Sequence, residues 1–465
     1  MLPADPFSPG SIRVYGIHVS KAAPIARLDE VQGDMNTHDG YVMDVAYPPH
    51  FHKEIQPVWL ASLAQFLGTA APDITRPYSC CELGCGMGIN LLVAAATNPL
   101  GQFVGVDAND KALAIARAAA KSVGLTNVHF VHADFAHFAQ SNNLFFDFIV
   151  SHGVWSWIAP NQQRNILQLV AKFLKPKGLF YLHYMCHPGA TPMVPIQALL
   201  NDLAKQLPGT SEEKLSAALD FVCQLDLAGA FVDQPQLSDK IRALKQKPPG
   251  YLAHDFLTDH WAPQHSVDIH RLVAQAGMTF LGSANALENL DKLSVPGAMQ
   301  PLLSNLASPA LRERVKDLAR NQHQRSDLFQ RAPTPLGQQD ALRQVDALRF
   351  QALPKASLPG AVTFKTPIGE IQGPSEVFSP PLERLAEGPA TFAELRQLPA
   401  FSDALGTLSQ SLQMLMWNGD IHPQRPDGLD TSEHVSRLAA WIERNQLKLQ
   451  IAADCGTAVH RLDDD

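Results

Sequence analysis

Ser79-Cys80-Cys81-Glu82-Leu83-Gly84-Cys85-Gly86-Met87-Gly88-Ile89-Asn90 is the stretch that decides the fold of this 465-residue chain. A short apolar run ends in an acid, and glycines follow at alternate positions. That order reads as a strand, a tight turn built from residues without side chains, and the first turn of a helix. Such a turn lets a ligand lie against bare backbone, close to the positive end of a helix dipole. A dinucleotide fingerprint needs Gly-x-Gly-x-x-Gly/Ala, and its third small residue would fall on Ile89. The spacing therefore excludes the common dinucleotide loop.

Outward from the loop, strands and helices alternate. The pattern gives strand Tyr78–Leu83, helix Ile89–Ala96, strand Gln102–Val106, helix Lys111–Val123 and strand Val128–Val131. Strand Phe146–Ser151, helix Asn161–Leu174 and strand Leu179–Tyr184 continue it. Such alternation implies right-handed crossovers and an α/β, doubly wound Rossmann-like sheet. Ligands of such sheets sit beyond the carboxyl ends of the strands, so the strand-end residues form one row. The first strand offers Glu82, Gly84, Cys85, Gly86, Gly88 and Asn90. Asp107, followed by Ala108, lies about 20 residues past the loop, where a carboxylate meets ribose hydroxyls. Asp134 can accept from an adenine amine, and the Phe135 ring can stack on the base. The fourth strand ends at Ser151-His152-Gly153-Val154-Trp155-Ser156-Trp157. A single strand-end acid is usually a helix cap. Four in register describe a nucleoside-type site.

The flanks carry less periodicity. Residues 1–40 read as an N-terminal arm. Tyr41, Tyr47-Pro48-Pro49, His50 and His52 precede a helical pattern beginning at Val58. Residues 190–265 form a helical insertion, in which Lys240–Pro249 is basic and proline-rich. The alternation resumes with helix Val267–Ala276, Gly277, strand Met278–Ser283 and a last strand at Asp327–Arg331. From residue 341 to 465 a further unit is expected. Thr391-Phe392-Ala393-Glu394 has the form of a capping box, and helix Asp403–Trp417 stops at Asn418-Gly419. Two short helices, a longer one and a turn suggest a winged-helix-like module. With no Lys or Arg between Arg396 and Arg425, it lacks the cations a DNA reader needs and is expected to pack or bind a partner.

Composition narrows the class. A net charge of −8 argues against a dominant nucleic-acid role. No run approaches the ~18 apolar residues of a membrane span, and the start does not read as a signal peptide. Six cysteines, three of them within Cys80–Cys85, do not form a disulfide framework, which suits reduced thiols in the cytoplasm. His183, Cys186 and His187, and the series His254, His260, His265 and His270, lack the spacing of a metal site, so none is expected. Self-association into a homo-oligomer is left open.

The acid-x-Gly-x-Gly-x-Gly spacing resembles the S-adenosylmethionine (SAM) loop of class I methyltransferases. More specifically, the chain resembles bacterial class I methyltransferases with a methyltransferase regulatory domain, a group that includes rickettsial protein-lysine methyltransferases. The likeness runs from about Tyr41 onward. It rests on Tyr47-Pro48, on Glu82-Leu83-Gly84-Cys85-Gly86 with Gly88, Asn90 and Leu91, and on Gly124-Leu125-Thr126-Asn127-Val128. It continues in His152-Gly153-Val154-Trp155-Ser156-Trp157, Tyr251-Leu252-Ala253-His254-Asp255-Phe256 and Gly282-Ser283-Ala284. One departure follows the fifth strand. The family commonly reads Ser-Tyr-Asn-Thr-x-Pro-Gly, where this chain has His183-Tyr184-Met185-Cys186-His187-Pro188-Gly189.

The resemblance implies a seven-stranded sheet closed by an antiparallel pair, a methyltransferase domain over 41–340 and a regulatory region at about 214–300. It implies SAM as cofactor and S-adenosylhomocysteine as product, with Tyr41 and Tyr47 as an aromatic lid. Methyl transfer from SAM is an in-line displacement, in which the protein aligns the acceptor and excludes water. His152, Tyr184 and His187 are the candidate bases or orienting groups, and His152 leads. Trp155, Trp157, Met185, His254 and Asp255 are the candidate acceptor-site residues. The acceptor is a nitrogen or oxygen nucleophile on a protein, a lysine among them, or on a small molecule. A non-catalytic SAM-binding regulator is the reading from another class.

Overall fold

The computed structural model describes residues 37–45, 48–354, 356–357 and 359–461. Tyr47 and nearly all of the expected N-terminal arm lie outside the described residues.

The centre is a seven-stranded sheet. Its strands are β1 (Tyr78–Leu83), β2 (Gly101–Asp107), β3 (Val128–His132), β4 (Phe146–Ser151), β5 (Leu174–Met185), β6 (Met278–Ser283) and β7 (Gln324–Arg331). They lie in the order β3-β2-β1-β4-β5-β7-β6. Neighbours from β3 to β5 are parallel, whereas β7 runs antiparallel to both β5 and β6. Strand order reverses between β1 and β4, which opens a crevice above their carboxyl ends. The central strands are buried on both faces, as parallel strands covered by helices must be. That is why β1 can hold Cys80 and Cys81 as plain apolar filling; all six cysteines are free thiols.

Two differences from the sequence reading concern boundaries. The helix α5 (Pro160–Phe173) ends earlier than expected, and β5 starts at Leu174, passing through Lys177 at φ 64°. The last strand starts at Gln324, three residues before the expected Asp327.

One face of the sheet carries α1 (Pro57–Phe66), α2 (Ile89–Thr97) and α3 (Asp110–Val123). The other carries α5 and the helix Ser266–Gln275. The insertion after β5 is helical as expected, with helices Val194–Gln206, Ser211–Leu227, Pro235–Leu244 and Pro249–Phe256 around their own core. It is tied to the segment ahead of α1. Ser211 Oγ donates to Asp44, and the Asp259 amide donates to the Gly40 carbonyl.

Residues 338–347 form one helix, so the expected boundary at 340 falls inside an element. Beyond it, Arg349–Ala352 pairs with Ala390–Thr391 on one side and Ile421–Pro423 on the other. Helices Ser375–Ala386, Phe392–Leu395 and Leu405–Asn418 pack beside this small sheet. Thr391 and Glu394 form the reciprocal capping box, and Gly419 at φ 84° ends the long helix. The middle strand of the small sheet precedes these helices in the chain. Phe350, Leu412 and Met416 share one core with Trp59 and Leu60 of α1, so this unit is docked over a wide apolar face. Among the described residues, no helix is long and apolar enough to cross a membrane.

Candidate functional site

A cavity of about 340 Å³ opens at the carboxyl ends of β1 to β4. Its floor is the loop after β1. Gly84, Gly86 and Gly88 have φ of 77°, 51° and 70°, the left-handed region in which a side chain is strained. A Cβ on Gly84 would lie 2.3 Å from Val154 Cγ2, so that glycine lets the loops after β1 and β4 close on each other. A Cβ on Gly86 would meet no described atom within 4 Å and would stand in the open cavity. The first glycine serves packing; the second leaves room for a ligand.

Two acids flank the loop, Glu82 buried and Asp107 half-buried. Asp107 accepts the Gly86 amide at 2.7 Å and the Asn109 amide at 2.8 Å, which holds the turn in shape. Burial pushes its carboxyl up, and these two amides work against that push. Glu82 is 3% exposed. Asn90 donates to its Oε1 at 3.0 Å, and its Oε2 has no hydrogen-bond partner among the described residues. Burial raises its pKa to about 8, Asn90 opposing and Asp107 adding to the rise. An isolated, half-satisfied carboxyl in a cavity is a site for a positively charged or donating ligand group.

The third strand end differs from expectation in one respect. Asp134 and Phe135 line the cavity together with Ala108. Yet both Asp134 oxygens already accept from His137, one from its amide and one from its ring, each at 2.7 Å. Asp134 is first a helix cap, the ordinary role of a strand-end acid.

After β4, His152 stands in the cavity wall and Ser151 does not. Ser151 is fully buried, its Oγ without a described partner. The His152 ring is stacked on His183, 4.2 Å away, and lies 3.7 Å from the tilted ring of His52. Its Nδ1 is 2.7 Å from the Tyr181 hydroxyl. Burial first, then the imidazoles of His183, His52 and His50, holds His152 well below the usual histidine range. It is a neutral base at the cavity wall.

The row continues outward. The His50 ring lies 4.6 Å from that of His52 and 5.1 Å from that of His460, which belongs to the C-terminal hairpin. His460 also shares a 2.9 Å hydrogen bond with the Phe51 carbonyl. Neither His50 nor His52 was among the expected site residues. Both arrive from the irregular segment before α1, where no periodicity points to a sheet edge.

The acceptor-site candidates separate into two groups. Trp157 and His254 line the cavity, as does Tyr41 of the expected aromatic lid. His254 Nε2 is 2.7 Å from the Val45 carbonyl, and the Tyr41 and His254 rings are 5.6 Å apart. Asp255 stands behind Trp157 and accepts its indole N–H at 3.1 Å. Trp155 is core, with its N–H 3.3 Å from Gln264 Oε1. Met185 packs with Trp157 and Ala190 beneath the cavity wall.

Tyr184 and His187 are placed elsewhere. Side chains alternate along a strand, so Tyr181 and His183 point to the face of His152, and Tyr184 points to the opposite face. There its hydroxyl donates to Asp327 at 2.6 Å, in a buried network with Arg325 and His270. His187 lies past the strand, its Nδ1 2.7 Å from Thr191 Oγ1 and its ring 4.7 Å from that of His265. Neither reaches the cavity. Among the described residues, no three His, Cys, Asp or Glu side chains are grouped to hold a metal ion.

Comparison with known proteins adds the family. Residues 74–251 match a methyltransferase domain, and residues 248–331 match a predicted methyltransferase regulatory domain, which overlaps the expected region at about 214–300. An uncharacterized protein of Synechocystis sp. is 30% identical over 393 residues, which cover 84% of this chain and 77% of that protein. An uncharacterized protein of Rickettsia prowazekii is 31% identical over 146 residues, 31% of this chain and 58% of its own length. In three dimensions the chain is similar to PKMT2 from Rickettsia typhi, whose structure is in complex with AdoHcy. The TM-score is 0.63 at 20% identity, over 81% of this chain and 77% of that one. The chain belongs to the methyltransferase family whose members join a methyltransferase domain to the predicted methyltransferase regulatory domain.

Proposed function

We propose that this chain binds SAM in the cavity above β1 and β4 and transfers its methyl group to a nucleophilic nitrogen or oxygen, with a protein lysine amine as the first acceptor to test. The observation that carries the reading is Glu82, buried beside the open Gly86 backbone with one oxygen unsatisfied. The amino group of a methionine moiety is the type of partner that this oxygen lacks. Asp107 and the ring of Phe135 suit a ribose and a base. The residues present therefore fit the cofactor. When bound, SAM supplies a methyl group already activated by a sulfonium, so the chain's own task is alignment and exclusion of water. Trp157, Tyr41 and Val154 provide apolar wall, and His152 provides a neutral hydrogen-bond acceptor that can orient the incoming nucleophile. The lysine acceptor rests on the resemblance to the rickettsial lysine methyltransferases and on the fold shared with PKMT2.

A small-molecule acceptor is the second reading. It is favoured by the closure of the cavity, since the Tyr41–Val42 strand is pinned to the insertion through Gly40 and Asp259 and to α5 through Asp39 and Gln162. One experiment separates these readings from a non-catalytic regulator. The full chain is incubated with methyl-labelled SAM in lysate, and protein is separated from small molecules. Label in lysine side chains supports the first reading, and label in the small-molecule fraction supports the second. Tight SAM binding with no label transferred leaves the regulator; absence of SAM binding by calorimetry refutes the site.

A further inference from the structure

The geometry points to Tyr181 as the residue that fixes the tautomer of His152, with Nδ1 protonated and Nε2 left as the acceptor facing the cavity. Its catalytic use rests on the methyltransferase reading above.

Tyr181 lies in the middle of β5 and is fully buried. Its hydroxyl has two partners, Ser326 Oγ on β7 at 3.0 Å and His152 Nδ1 at 2.7 Å. A phenol has one proton to give. Burial pushes Tyr181 above its usual range, so the phenol keeps that proton. The geometry has it donated to Ser326, which leaves the phenol oxygen to accept from Nδ1–H of His152. The neighbouring imidazole is set in the complementary way. His183 Nδ1 accepts the Gly153 amide at 3.2 Å, and its other edge meets Gln324. With the His152 ring packed against His52 and His183 and Nδ1 taken, the edge left for the cavity carries Nε2.

That tautomer has a chemical consequence. A lysine-type amine that enters the cavity neutral can donate an N–H to Nε2, which orients its lone pair for attack. With SAM bound, that lone pair would form the N–C bond as the C–S bond breaks, the electron pair remaining on sulfur and the extra proton staying on the methylated nitrogen. Nδ1–H keeps donating to the Tyr181 oxygen throughout, so the neutral ring is held in place. Tyr181 is a positioning residue, because it acts only through His152.

The test is a long-range proton–nitrogen NMR spectrum of the full chain with ¹⁵N-labelled histidine, recorded with S-adenosylhomocysteine as the ligand. His152→Gln identifies the signal by its loss. Protonated Nδ1 with bare Nε2 is expected. Ser326→Ala removes the acceptor of the Tyr181 hydroxyl, which then turns its proton toward Nδ1 and drives His152 to the Nε2–H tautomer. Tyr181→Phe should give a mixture of tautomers. A merely structural Tyr181 would flip nothing. In the labelling experiment, both variants should lower methyl transfer about 100-fold, the scale for a misplaced acceptor, with S-adenosylhomocysteine affinity unchanged. Nε2–H in the wild-type chain, or a tautomer untouched by both variants, overturns the assignment. Loss of ligand binding in the wild-type chain would count against the cofactor reading alone, because the tautomer is still read without ligand.

Discussion

Asn90 donates its side-chain amide to Glu82 Oε1 at 3.0 Å, and its own carbonyl accepts the backbone N–H of His52 at 2.9 Å. The first residue of the cavity floor is thereby coupled to the segment that forms the cavity wall, through one amide. The second Glu82 oxygen has no described partner, so its carboxyl remains protonated up to about pH 8.

Glu82→Gln follows directly. The folded pKa lies above the ordinary 4.5, so the folded state holds the extra proton. The stability it brings is complete below about pH 4.5 and is lost as pH rises through about 8. Each pKa unit corresponds to about 1.4 kcal/mol as an upper scale. Between about pH 6.5 and pH 9, where the buried histidines are mostly neutral in both folded and unfolded chains, the melting temperature of the ligand-free chain should therefore fall more steeply in the wild type than in Glu82→Gln. The variant should also bind SAM more weakly, since a neutral amide replaces the carboxylate that pairs with the ligand amine. Parallel melting curves across that range would refute the assignment.

Asp107 and Gly86 make a second pair. Gly86→Asp places a charge and a side chain in the open cavity, and calorimetry should find SAM binding abolished. Asp107→Ala should weaken SAM by about 1–3 kcal/mol, the scale for a lost charged hydrogen-bond partner. Because Asp107 also holds the Gly86 and Asn109 amides, the same change should lower the melting temperature without ligand. Unchanged affinity in Gly86→Asp would remove the loop from the site.

The glycines at 84 and 86 should respond differently to alanine. Both pay the left-handed strain of about 1–2 kcal/mol. Gly84→Ala adds a contact of 2.3 Å with Val154 Cγ2, whereas Gly86→Ala meets nothing described within 4 Å. Chemical denaturation should rank Gly84→Ala as the more destabilising, and Val154→Ala should recover part of that loss in a double-mutant cycle. Equal losses with no coupling would mean that the two loops do not touch in solution.

Much of this was legible in the sequence, because parallel sheets write themselves as alternating blocks. The glycine loop, Glu82, Asp107 and His152 follow from strand ends alone. What escaped has a common cause. His52 and His50 come from a segment with no periodicity, and their rings meet His152 only after α1 has docked. Tyr181 reads as one more apolar position of a buried strand. Tyr184 was misassigned for a simpler reason: strand parity separates it from His183, and that rule was available from the sequence.

Tyr184→Phe tests the correction. Burial alone would raise Asp327, but Arg325 and His270 overcome it and hold the carboxyl at about 2, with Tyr184 as a further donor. Removing the hydroxyl leaves Arg325 and His270 in place, so the cost should be about 1.5–3 kcal/mol, that of one hydrogen bond to a charged group. Arg325→Met is a harsher change. It removes the guanidinium from buried Asp317 and Asp327 together, with an expected loss of about 3–5 kcal/mol. Neither change touches the cavity face of β5, so Tyr184→Phe should bind S-adenosylhomocysteine with wild-type affinity and transfer methyl at the wild-type rate. A fall in transfer with full stability would return Tyr184 to the reaction; a fall in stability alone confirms that its hydroxyl serves Asp327.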